Sequence, residues 1–128
     1  MRNTLLWRLA GFYLITGLYL VLFPFGFYEN APGVSGTGPY NMHFINDVGF
    51  AFAVSALGIG FGLMKQLQPL IVFGTAWLTL HGMFHLVLWF MHSEHTSNAA
   101  LIDLLVVVVP AALVTFLSAT YKVKEPAY

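Results

Sequence analysis

Polar residues gather in short clusters along the chain. Between them run four long apolar stretches, Leu5 to Phe27, His43 to Met64, Pro69 to Met91 and Asn98 to Tyr121. A hydrocarbon core of about 30 Å takes about 20 apolar residues in an α-helix, so each stretch is long enough to cross it. None alternates as a barrel strand would, and backbone groups in lipid must be paired internally, so the pattern predicts helices. The expected fold class is all-α, a four-helix transmembrane bundle, antiparallel, in one integral membrane domain over residues 1–128.

The connections differ in kind. "KQLQP", residues 65–69, is short and places Pro69 in a first helical turn, which predicts a tight link between the second and third helices. "YENAPGVSGTGPYNM", residues 28–42, is rich in Gly, Pro, Ser and Asn and predicts a loop outside the hydrocarbon. "HSEHTSN", residues 92–98, predicts a second loop on that same side, with Ser97 or Asn98 capping the fourth helix. The opening "MRNTLLWRL" has the basic start of a signal peptide, but the apolar stretch after it is too long and lacks a small-x-small cleavage site. It reads as a retained first helix.

Composition agrees with the pattern. Apolar residues make up 59% of the chain and charged residues 8%, against about 45–50% and about 25% in an ordinary soluble domain. The lipid bilayer is therefore the first expected partner. Five basic residues balance five acidic ones and form no basic block, which argues against nucleic acid. No cysteine is present, so disulfides, thiolate nucleophiles and iron–sulfur ligation are excluded.

Charge also sets an expected orientation. Arg2, Arg8, Lys65, Lys122 and Lys124 all fall on the face carrying both termini and the short link, and none falls on the face of the other two loops. The positive-inside rule then predicts cytoplasmic termini, periplasmic long loops and a multi-pass protein of a bacterial inner membrane.

That orientation concentrates the chemistry on the outer side. His43 and Asp47 are four apart at the outer end of the second helix, and His81 and His85 are four apart in the outer half of the third. Asp103 lies just inside the outer end of the fourth. Residues four apart share a helix face. At about 1.5 Å per residue, Asp47, His85 and Asp103 fall at about 6–9 Å below the outer boundary, and His81 at about 15 Å. An Asp within a spanning helix costs about 2.5–3.5 kcal/mol by insertion scales, so both aspartates are expected to face inward and take histidine partners.

Three uses of such a layer stand side by side. Imidazole and carboxylate together suit a transition-metal ion, copper or zinc first, with His43, Asp47, His81, His85 and Asp103 as the candidate ligands. Haem is an alternative cofactor, with Gly49 and Gly82 leaving space for the ring. A lipid-soluble molecule such as a quinone would use the same groups as hydrogen-bond partners, among abundant aromatics that include Phe44, Phe84 and Trp89. The bland reading is a structural or assembly subunit of a larger membrane complex, in which a His–Asp bond ties helices together. Small-residue pairs, Ala56 with Gly60 and Gly58 with Gly62, predict close helix packing within the bundle. Pro110 predicts a kink or a freed carbonyl in the fourth helix.

The run of "R-L-x-G-x-Y" (Arg8 to Tyr13), "H-F-x-x-D-x-G" (His43 to Gly49), "H-x-x-x-H" (His81 to His85) and a late Asp103 resembles small four-helix bacterial inner-membrane proteins, DoxX-like in size and layout. The resemblance spans nearly the whole chain. It implies a compact inner-membrane bundle and no particular activity.

Overall fold

The computed structural model describes residues 2–91 and 97–123. Most of the second predicted loop, including His92 and His95, lies outside the described residues, as does Lys124. The described chain is helical, with no strand: α1 (Arg2–Leu22), α2 (Pro24–Asn30), a 3-10 turn (Val34–Thr37), α3 (Met42–Lys65), α4 (Gln68–Met91), α5 (Asn98–Asp103), a π-helical turn (Leu104–Val108) and α6 (Val109–Ala119). Segments Asn3–Leu22, Met42–Lys65, Gln68–Met91 and Asn98–Ala119 are each long and apolar enough to cross a membrane. This is the make-up of a small multi-pass membrane protein.

The boundaries differ from expectation where proline acts. The first apolar run does not continue to Phe27. It breaks at Phe23, whose backbone sits at φ −133° and ψ 53°, because the ring of the following proline excludes the helical region there. Pro24 then opens the separate helix α2, so part of the predicted loop is helical. The Tyr28 hydroxyl donates to the carbonyl of Gly38 at 2.9 Å and closes the segment between α1 and α3 on itself.

Caps mark the other ends. The Asn41 side chain accepts from the Phe44 amide at 3.1 Å at the start of α3, and the Ser97 hydroxyl accepts from the Ala100 amide at 3.2 Å at the start of α5. Each satisfies an amide that the first turn leaves without a partner. The α3–α4 link turns on Gln66, in the left-handed region at φ 55°. That conformation favours glycine; here the Gln66 side chain holds it, donating to Leu63 O at 3.0 Å and accepting from the Tyr121 hydroxyl at 3.0 Å. Pro69 lies in the first turn of α4, as its position predicts.

Residues spaced by seven build the core: Leu6, Tyr13 and Leu20 from α1, Ile45, Phe52 and Ile59 from α3, Ile71 and Leu78 from α4, with Val114 and Leu117 from α6. Sevenfold spacing keeps a side chain on one helix face. The opposite face of α3 is apolar too, with Phe50, Val54, Leu57, Phe61 and Met64 all exposed. Such a face needs lipid as its solvent.

Glycines bring the helices to contact distance. A Cβ at Gly17 of α1 would stand 2.6 Å from the carbonyl oxygen of Gly49 on α3, and one at Gly74 of α4 would stand 2.8 Å from the Ile59 amide of α3. Gly58 faces Gly74, and Gly60 faces Trp7, so the small residues of α3 serve packing within the bundle, as predicted. Gly82 of α4 meets the Ala111 side chain of α6. Below that contact the Thr79 and Thr115 hydroxyls lie 2.7 Å apart, and Gln68 donates to Ala119 O at 3.1 Å. The α4–α6 seam is thus pinned at three levels.

Candidate functional site

Helix α4 carries the centre of the site. His81 and His85 stand one turn apart with ring centroids 4.5 Å from each other. Trp77, one turn deeper, stacks on His81 at 4.6 Å and 14°. Phe52 of α3 closes the other side, edge-on to both Trp77 at 4.8 Å and His81 at 5.4 Å. The His81 ring is therefore held in an aromatic bracket, and its freedom to turn is small.

Asp103, the last residue of α5, reaches His85. Its Oδ1 lies 2.7 Å from His85 Nδ1, and the side chains are 25% and 29% exposed for His85 and Asp103. Along α4, His85 lies about 9 Å from Met91 at about 1.5 Å per residue, so this contact sits within the spanning segments, toward the Met91 end of α4. A carboxylate on Nδ1 selects the tautomer that carries its proton there. Nε2 is left as the acceptor, and no second hydrogen bond to His85 is present among the described residues. Along their seam α4 and α6 also border an apolar groove of about 340 Å³ lined by Gly82, Met83, Leu86, Val108, Ala112 and Phe116, with Thr79 and Thr115 among its few polar atoms; neither His85 nor Asp103 is part of its lining.

The other histidine–aspartate pair is built differently. His43 Nε2 and Asp47 Oδ2 are 3.5 Å apart on α3, with exposures of 89% and 60%. They continue the outward stripe of Phe50, Val54, Leu57 and Phe61 and do not face the bundle interior. The expected single polar layer is in fact two sites: His81, His85 and Asp103 come together, while His43 and Asp47 pair with each other on the outside. Among the described residues no three His, Asp or Glu side chains are grouped as ligands of one metal ion. Gly49 is filled by contact with Gly17, Leu20 and Val21, and Gly82 by Ala111, so neither glycine leaves room for a porphyrin ring.

Trp77 and Phe52 escaped the sequence reading. Trp77 is four residues before His81, on the stripe that continues to His85, which was a usable signal. Phe52 comes from another helix, and no spacing along the chain announces it.

Comparison of the chain with protein-family models, with curated proteins and with solved structures found no match. Fold and site by themselves define the class, a small multi-pass membrane protein that keeps a half-buried His–Asp pair inside its spanning helices.

Proposed function

We propose that the chain is a four-span antiparallel bundle of a bacterial inner membrane, with both termini cytoplasmic, that binds a lipid-soluble oxygen-bearing ring compound of the quinone class at His85 and Asp103. The antiparallel order is supported by contacts that run in opposite directions along neighbouring helices: Gly17 with Gly49 and Trp7 with Gly60, Gly58 with Gly74 and Gly62 with Ile71, and Gly82 with Ala111 against Gln68 with Ala119. The orientation rests on the five basic residues of one face. Reporter fusions at Lys65 and Gly36 are expected on opposite sides of the membrane, and the same side for both would overturn the topology.

One observation carries the binding reading, the 2.7 Å contact between His85 Nδ1 and Asp103 Oδ1 inside the spanning helices. Interhelical polar contacts in membranes return only about 0.6 kcal/mol on average, while an acidic residue within a spanning segment carries an insertion cost that reaches about 2.5–3.5 kcal/mol at the helix centre. Tying helices together is a poor return for that cost. A ligand site accounts for it: a quinol hydroxyl donates to Nε2, and a quinone carbonyl accepts from Nε2–H once the ring is protonated against Asp103. The apolar groove on the same α4–α6 seam offers a surface of the kind that the hydrocarbon tail of such a compound takes.

The test is titration of the protein in nanodiscs with a short-chain benzoquinone, followed through tryptophan emission. His85→Ala and Asp103→Asn are expected to weaken binding by about tenfold or more, the worth of a charge-assisted hydrogen bond; His43→Ala is expected to leave it unchanged. Equal binding by all three variants and the wild type would overturn the site.

Copper or zinc at His81 and His85 is the second reading. The carboxylate on Nδ1 of His85 favours it, because that arrangement orients ligating imidazoles. These residues supply two nitrogens and a carboxylate already engaged by His85, so the fit is incomplete. Metal counting on the wild type and on His85→Ala, after reconstitution with each ion, separates this reading from the first.

A further inference from the structure

We infer that Pro110 is a positioning residue for the site: the π-helical turn it imposes carries Asp103 into register with His85. The inference concerns the site proposed above and rests on that reading for its functional consequence, though the His85–Asp103 contact can be measured without any ligand.

The chemistry starts at the proline ring. Pro110 has no amide hydrogen to donate to Val106 O, and in a regular helix its ring collides with that carbonyl. Widening the turn before it relieves the collision. The amide of Val109 accordingly donates to Leu104 O, five residues back, and residues Leu104–Val108 form the π turn. Such turns insert one residue into an α-helix.

One inserted residue resets the angular position of everything above it. The lower part of the helix cannot turn to compensate, because Gly82 against Ala111, Thr79 with Thr115 and Gln68 with Ala119 pin it to α4. Asp103 precedes Ala111 by eight residues. At about 100° per residue these span about 800°, which would leave Asp103 about 80° away from the Ala111 face and off α4. With five of them in a π turn at about 80° each, the span is about 700°, within about 20° of two full turns. That rotation turns Asp103 toward the α4 face that Ala111 meets, in keeping with the 2.7 Å contact between Asp103 Oδ1 and His85 Nδ1. In an unbroken α-helix that place belongs to Leu104, seven residues before Ala111 and about 20° from alignment.

The arithmetic yields a compensation test. Pro110→Ala restores the amide and lets the helix close to α register, so it is expected to lose the coupling between positions 85 and 103, read as non-additive Tm shifts of His85→Ala and Asp103→Leu. Benzoquinone affinity should fall about tenfold or more with it. Moving the acid by one residue, with Asp103→Leu and Leu104→Asp, should restore both in the Pro110→Ala background and abolish both in the Pro110 background. A protein that merely needs the proline for folding shows no rescue by the moved acid. Pro110→Gly, which also restores the amide, serves as the second variant where Pro110→Ala does not fold. Coupling retained in both proline variants, or absence of rescue, would overturn the inference. A wild type that couples residues 85 and 103 as expected but takes up no benzoquinone would overturn the ligand reading and leave the register assignment standing.

Discussion

The two histidine–aspartate pairs use the same side chains in different surroundings. His43 and Asp47 meet along one helix, four residues apart, at 3.5 Å and largely exposed. His85 and Asp103 meet across two helices, eighteen residues apart, at 2.7 Å and about three-quarters buried. An exposed i,i+4 pair is screened, flexible and worth about 0.3–0.5 kcal/mol. A contact shielded from water is electrostatically stronger, and each partner costs more when left alone. Proximity in sequence makes the first pair easy to form and weak; packing makes the second pair conditional and strong.

Substitutions should break this contrast in graded ways. The largest effect is expected from Gly82→Leu. Its side chain has no space against Ala111, so α4 and α6 must separate, at a cost of about 1–3 kcal/mol for overpacking. Thermal unfolding in nanodiscs should record that loss, and the coupling between residues 85 and 103 should vanish while that between residues 43 and 47 survives. Survival of both couplings would mean that the α4–α6 seam does not control the buried pair.

Asp103→Asn comes next. It replaces a carboxylate-type acceptor with an amide at a histidine that is about three-quarters buried, for an expected loss of about 1–2 kcal/mol of stability. Asp47→Asn, the matching change on the exposed pair, should cost under about 0.5 kcal/mol. Equal losses at the two positions would erase the distinction drawn from burial.

The smallest effect concerns salt. Raising ionic strength from about 0.01 M to about 1 M shortens the screening length from about 30 Å to about 3 Å. The 43–47 coupling, measured by a double-mutant cycle, should then fall to nothing, whereas the 85–103 coupling should hold within measurement error. A buried pair that is as salt-sensitive as the exposed one would place His85 and Asp103 in contact with water.

Much of the fold was legible because lipid imposes one rule along the whole chain. Four runs of the required length had to be helices, and six of their eight ends, at His43, Met64, Pro69, Met91, Asn98 and Tyr121, fall within a residue or two of the observed ends. Phe27 belongs to α2 and not to the first spanning helix, and hydropathy does not register the backbone restriction that Pro24 puts on Phe23. The site was legible in part. His81 and His85 were paired by their spacing, and Asp103 was marked by its cost in lipid, but spacing on α3 also drew His43 and Asp47 into the same layer, and burial puts them on the outward stripe.

What the sequence determined by itself was therefore everything that depends on local period and solvent: the helices, the tight link at Gln66, the small faces of α3, and the presence of histidine and aspartate at matching depth. Only the tertiary structure decided which aspartate serves His85. The choice depends on the rotation of one helix against another, and that rotation is set jointly by the Gly82–Ala111 contact and by the π turn before Pro110. Neither is a property of a local window, because a rotation of about 80° leaves the hydropathy of the segment unchanged while it exchanges Asp103 for Leu104 at the face of α4.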